Sequence, residues 1–312
     1  MKKYFLISFI LVSAACLSQQ TIQYTEYMLN DMGFNPAAAG DNNEYEILAG
    51  KRLQWLGFAN APVTNFGSVT RGFFKRPYHN YWHGIGLYFE EDKAGPITTK
   101  TAYPIYAFHF TTNKKRNITI GISPGIRFYG SSVVDKFDPI LVAYPLRKTF
   151  FPDINLGVRY HTRKLQIDLS VKQIGKNKVD ATVASVQLTP HGYLSISSKF
   201  YSKEYDYIFE PSVQLRSNFL SLPSFSTSFM MFIGKHIGFG LAYRWNDAVS
   251  GIVQFHLAKS IILGLAYDYT VSKLRFSGAN SLEMMAGMSP SNFIEGLDDD
   301  RHGGASCPVW DF

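Results

Sequence analysis

The chain has 312 residues, enough for one large domain or two small ones, and only 18% of them are charged while 15% are aromatic. A mean hydropathy of -0.07 excludes a bundle of membrane helices, and no run after the N-terminus approaches the roughly 18 consecutive apolar residues such a helix needs. The formal charge of +7 is spread along the chain, which argues against a nucleic-acid patch and suits anionic lipid or an acidic partner.

The first 18 residues read as a secretory signal. Lys2 and Lys3 precede the apolar run Tyr4 to Val12, and Ser13, Ala14, Ala15, Cys16 and Ser18 supply small residues near a cleavage point. Cleavage after Ser18 leaves Gln19 as the mature N-terminus; lipidation of Cys16 is the alternative, with Ser13 standing where a bulky aliphatic is usual. Loss of Cys16 leaves Cys307 without an intrachain partner, so disulfide stapling is excluded.

Residues 19–43 do not alternate. Thr25-Glu26-Tyr27-Met28-Leu29-Asn30 can start a short helix, and Asn35-Pro36-Ala37-Ala38-Ala39-Gly40 reads as a turn. This element either plugs the domain formed by residues 44–288 or lies beneath it on the periplasmic side.

From 44 to 288 the pattern is β. Ile118, Ile120, Ile122, Ile126 and Phe128 alternate with Thr119, Gly121, Ser123, Gly125 and Arg127; Ile237, Phe239, Leu241, Tyr243 and Trp245 alternate with Gly238, Gly240, Ala242 and Arg244. A soluble sandwich turns its bulky face inward and covers the other with Lys, Glu and Thr. Here the second face is glycine, serine and charge, as in a membrane barrel with lipid against the bulky face. About fourteen strands of spanning length are expected, at 44–53, 64–74, 82–91, 100–111, 117–130, 152–162, 164–174, 192–202, 205–216, 224–234, 236–245, 249–258, 260–270 and 278–288. The expected fold is therefore an all-β transmembrane antiparallel barrel with a short non-strand N-terminal element and a flexible C-terminal tail.

Charge obeys that register. Arg127, Arg159, Lys172, Glu210 and Arg244 all fall on the polar face and are expected in the lumen, since an Arg or Lys facing lipid at mid-membrane costs about 2–4 kcal/mol. Strands 64–74, 100–111 and 224–234 read less cleanly, with aromatics and hydroxyls on both faces. The tail, 289–312, is polar and read as periplasmic.

Catalytic and metal signals are weak. Gly121-Ile122-Ser123-Pro124-Gly125 satisfies the G-x-S-x-G string, but Ser123 lies mid-strand and not on the strand-to-helix turn that chemistry needs. The eight histidines show no metal spacing and are expected in loops and at the membrane interface; the acidic tail cluster Asp298, Asp299, Asp300, His302 and Cys307 reads as solvated. No catalytic residue, metal or cofactor is expected. The segment Arg52 to Thr64 is the densest local pattern: a first hairpin with Trp55 and Phe58 as interface anchors, or a recognition loop.

Several of these runs together resemble the PorP/SprF family of outer-membrane proteins of the type IX secretion system. They are Tyr24-x-x-Tyr27-Met28, Asn35-Pro36-Ala37-x-Ala39-Gly40, Arg52-x-Gln54-Trp55-x-Gly57-Phe58-x-x-Ala61-Pro62-x-Thr64, Gly84-x-Gly86 with Asp92 and Gly95, Pro152-Asp153 with Gly157 and Tyr160, Tyr243-Arg244-x-x-Asp247 and Tyr267-Asp268-Tyr269. Ala279-Asn280-Ser281-Leu282-Glu283 departs from the Gly-Ser-His-Glu type sequence more usual there. The resemblance implies a non-enzymatic protein in the outer membrane of a Gram-negative bacterium. It would assist export and surface anchoring of a secreted protein with a type IX C-terminal sorting domain, such as a large adhesin or a gliding-motility protein, alongside other secretion components. On that reading Tyr27, Asn35, Arg52, Gln54 and Trp55 are the partner-binding candidates. A diffusion channel for small solutes, its preference set by the lumen charges, is the rival.

Overall fold

The computed structural model describes residues 21–41, 45–74, 80–113, 116–131, 149–162, 164–175, 178–180, 185–202, 207–234, 236–257 and 260–288. The expected signal segment (1–18) and tail (289–312) lie outside the described residues. The strands are β1 Tyr45–Leu53, β2 Val63–Phe73, β3 Tyr81–Ala94, β4 Ile97–Asn113, β5 Arg116–Ser131, β6 Thr149–Thr162, β7 Leu165–Lys172, β8 Lys178–Asp180, β9 Ser185–Gln187, β10 His191–Ser198, β11 Phe200–Ser202, β12 Tyr207–Ser217, β13 Ser224–Ile233, β14 Ile237–Arg244, β15 Ala248–Leu257, β16 Ile261–Thr270 and β17 Ser281–Met288.

Each wall strand pairs antiparallel with its sequence neighbours, and β10 bridges β7 to β12. The sheet closes through β1 and β17, in register from Leu53↔Leu282 to Ile47↔Met288. Closure makes a 14-stranded barrel, which leaves no unpaired edge for lipid to meet. All fourteen expected strands are wall strands. β11 prolongs β10 along β12, and β8 and β9 pair as a separate two-stranded ribbon inside a stretch that shows no alternation in the sequence.

The alternation is realised physically. Ile118, Ile120, Ile122 and Ile126 are exposed on the outer wall, while Asn117, Thr119, Ser123 and Arg127 are buried on the inner one. The same holds at β16, where Ile261, Leu263, Leu265 and Tyr267 point out and Ile262, Ala266 and Asp268 are buried. So continuous an apolar belt is stable only against hydrocarbon.

The two mouths differ. One carries the connections 54–62, 95–96, 132–148, 173–190, 218–223, 245–247 and 271–280. The other carries 74–80, 114–115, 163–164, 199–206, 234–236 and 258–260, together with the entry to β1 and the exit from β17. They are the long-loop and the short-turn mouth.

Candidate functional site

The lumen is occupied by the chain's own N-terminal segment. At the long-loop mouth Arg216 donates from Nη1 to the Thr21 carbonyl oxygen (3.0 Å). At the short-turn side Trp82 donates from Nε1 to the Gly40 carbonyl (3.0 Å), and the Gly40 amide donates to Thr70 Oγ1 (2.6 Å). Between these points residues 21–41 descend through the barrel in short turns. The Leu29 and Asn30 amides return to the Glu26 carbonyl, and 3-10 turns follow at Asp31–Gly33 and Pro36–Ala38. Asn35 caps the second turn: its backbone is extended, its Oδ1 accepts from the Ala37 amide (2.9 Å), and Pro36 follows where a missing N–H costs nothing.

Glycines clear the track. A Cβ on Gly84 would lie 1.9 Å from the Ala39 carbonyl oxygen, one on Gly121 2.3 Å from the Ala37 nitrogen, and one on Gly157 1.9 Å from Asn35 Oδ1. Strands β3, β5 and β6 therefore approach the segment more closely than any larger residue permits. Apolar packing fills the rest. Tyr24, Tyr27, Met32 and Phe34 of the segment share one core with Phe66, Tyr88, Tyr103, Ile105, Tyr193 and Met285, which come from β2, β3, β4, β10 and β17. Walls on opposite sides of the barrel meet through the segment.

Two buried ion clusters lock it. In the first, Arg159 on β6 bonds Asp31 (2.8 Å) and Asp41 (2.5 Å) of the segment and Asp168 on β7 (2.6 Å). Asn35 Nδ2 donates to the same Asp168 (2.8 Å). In the second, Arg52 on β1 bonds Asp268 (2.6 Å) and Glu283 (2.7 Å). The Thr25 and Glu26 amides both donate to the Glu283 carboxylate (3.0 Å each), and the Thr25 hydroxyl donates to Asp268 (2.6 Å). Each guanidinium is fully enclosed, so its fork of donors must be matched inside the protein.

The sequence-derived candidates separate into two groups. Tyr27 is buried, with its hydroxyl 2.6 Å from Ser212 Oγ; Asn35 and Arg52 are buried in the clusters just described. None of these three reaches solvent. Gln54 and Trp55 sit at the long-loop mouth, with Trp55 41% exposed and left-handed at φ 49°. Arg127 bonds Tyr103 and Asp153 (3.0 and 3.3 Å), Lys172 donates to the Gly33 carbonyl (2.6 Å), Glu210 pairs with Lys199 (3.5 Å), and Arg244 reaches Thr25 Oγ1 (3.0 Å) and Asp247 (2.7 Å). Ser123 is buried mid-strand and accepts from Asn155 Nδ2 (3.0 Å).

Placing the histidines in loops and at the interface is wrong for His109 and His161. His109 is fully buried, stacked on Trp82 at 4.4 Å with Nε2 2.9 Å from the Ala39 carbonyl, and His161 pairs with Asn117 (2.9 Å). Both lie on inner-face positions, where an imidazole serves the segment's carbonyls and neighbouring amides. Asp31, Asp41, Asp168, Asp268 and Glu283 seat the segment and are not among the sequence-derived candidates. Asp168 and Asp268 carry a signal: each is an acid at a polar-face position within a clear strand.

An all-antiparallel barrel with a lipid-facing apolar belt and a lumen filled by its own N-terminal segment belongs to the transmembrane β-barrel class. A family model for the type IX secretion system membrane protein PorP/SprF matches residues 16–288, and the chain belongs to that family. No curated protein matches the chain. Among solved structures it is similar in fold to the toluene transporter TbuX of Ralstonia pickettii, at 12% identity over 84% of this chain and 92% of that one (TM-score 0.48). The CymD monoaromatic hydrocarbon channel is 12% identical over 86% and 92% (TM-score 0.46), and Omp33 of Acinetobacter baumannii 6% over 79% and 98% (TM-score 0.47).

Proposed function

We propose that this protein works in the outer membrane as a non-enzymatic component of type IX secretion that retains a secreted surface protein instead of conducting solutes. Residues 1–18 are removed on export, 19–43 form the plug element, 44–288 the barrel and 289–312 a periplasmic tail. The secreted partner carries a type IX C-terminal sorting domain, and an adhesin or gliding-motility protein is the fitting kind. The observation that carries this reading is the lumen occupied by the N-terminal segment, with Arg159, Lys172 and Arg244 bonded to that segment and Arg127 and Glu210 paired with other residues of the chain, so that these charges are not offered to passing ions. In bacterial barrels of this type short turns face the periplasm and longer loops the outside, so the mouth bearing Gln54 and Trp55 faces the cell surface.

Within this reading the five partner-binding candidates divide the work. Gln54 and Trp55 meet the partner, whereas Tyr27, Asn35 and Arg52 keep the mouth in shape by seating the segment beneath it. Replacing Gln54 and Trp55 together by alanine is expected to lower surface display of the partner severalfold while the barrel still assembles. Quantitative immunoblotting of surface-exposed partner checks this; undiminished display in a folded Gln54→Ala/Trp55→Ala barrel would exclude the two residues from that role.

A further inference from the structure

Above the seated segment, at the long-loop mouth, lies a cavity of about 890 Å³. Its wall includes Thr21 and Gln23 of the segment, so its shape depends on the segment being in place. Its volume is that of a ligand site and not of a packing defect.

The chemistry of the lining is specific. Arg52 and Arg244 lie in it, but both are already engaged with Asp268, Glu283 and Asp247. The lining holds three carboxylates, Asp92, Asp247 and Asp268, against these two cations, and Asp92, on the β3 side, accepts from the Thr64 hydroxyl (2.7 Å). The lining of this cavity, in a chain of formal charge +7, thus carries one carboxylate in excess of its cations. Two tryptophans line the same cavity, Trp55 at 41% and Trp245 at 63% exposed. Indole faces attract cations and supply rigid contact area.

We propose that this vestibule binds an extended cationic segment of the secreted partner. A lysine or arginine of that segment is held by Asp92, Asp247 and the indoles. The inference rests on the secretion reading above and adds to it the place and the chemistry of capture. A solute channel has no use for such a site above an occupied lumen.

The full-length protein, purified in detergent, is titrated with two fluorescent nonapeptides of glycine and serine, one carrying two arginines and the other two glutamates at the same positions. The arginine peptide is expected to bind about tenfold tighter, and Asp92→Asn/Asp247→Asn is expected to erase that preference. Trp55→Phe/Trp245→Phe, which keeps ring area with a weaker cation attraction, should weaken the arginine peptide severalfold without altering heat-modifiable mobility. Equal affinity for the two peptides, no binding of either, or an unchanged preference in the Asp variant overturns the inference; a saccharide-binding vestibule would give the second of these results. Parallel purification from outer membranes separates the two levels. If a secreted protein accompanies the wild type and the Asp92→Asn/Asp247→Asn variant equally, the vestibule falls and the secretion reading stands. If none accompanies the wild type, the secretion reading itself falls.

Discussion

Replacing Arg159 by alanine is expected to unseat the N-terminal segment. Asp31, Asp41 and Asp168 converge on this one guanidinium, and two of the three belong to the segment. Removal of the cation leaves the enclosed carboxylates of Asp41 and Asp168 and the half-buried one of Asp31 facing one another. Breaking a buried pair by deleting one partner typically costs about 3–5 kcal/mol, because the remaining charge is stranded. The barrel wall has its own hydrogen-bond ladder and can survive, so the cheapest relief is for the segment to withdraw, carrying Asp31 and Asp41 into water. Chymotrypsin, which can cut at Tyr24, Tyr27 and Phe34, reports this: resistance in the wild type should become rapid cleavage in Arg159→Ala. Lysine at 159 should restore only part of the resistance, since it keeps the charge but loses the planar fork that meets three acceptors. Continued resistance in the alanine variant would show that the ion cluster is not what holds the segment.

Valine at Gly84 and Gly121 is expected to have the same outcome by a different route. A Cβ at Gly84 meets the Ala39 carbonyl and one at Gly121 meets the Ala37 nitrogen, both backbone atoms that cannot rotate away. Overpacking of this kind costs about 1–3 kcal/mol per site. Valine suits a strand, so the wall itself should not suffer. Gly251 provides the control, because nothing lies within 4 Å of a Cβ built there. Gly251→Val should keep full protease resistance, while Gly84→Val/Gly121→Val should lose it. Equal behaviour of the two would mean that the segment does not press on the wall as described.

The wall was legible in the sequence because lipid imposes a strict rule on one face, and period-two alternation records that rule residue by residue. Ile118 to Arg127 and Ile261 to Tyr269 needed nothing else. The contents of the lumen were not legible in the same way. The runs 64–74, 100–111 and 224–234 blur because Phe66, Tyr103, Ile105 and Met230 are bulky inward residues. The first three pack on the segment, and Met230 packs with Ile252 and Ala266. An apolar residue facing an apolar plug is indistinguishable, in a local pattern, from one facing lipid. Glycines such as Gly84 and Gly157 were readable as a small face but not as a track, since their partner lies 45 to 122 positions away in Ala39 and Asn35. The ribbon β8–β9 escaped for a plainer reason: three residues a side show no period.

The candidate residues show the same limit. Arg52 and Trp55 are three positions apart in one motif, yet the strand's alternation and the following turn send one into the lumen and the other to the mouth. The motif marks a junction between seat and surface, and sequence spacing alone does not distinguish the two duties. Asp168, Asp268 and Glu283 complete the seat, and they could have been found by asking which inner-face acids would neutralise Arg159 and Arg52.

Whether the N-terminal segment closes the barrel is decided by single-channel recording in planar bilayers, on the full-length protein and on a variant lacking residues 21–41. No steady conductance is expected from the full-length protein and ohmic channels from the truncated one, with both barrels folded. Steady conductance from the full-length protein, unchanged by the deletion, would contradict closure and return the solute channel to first place.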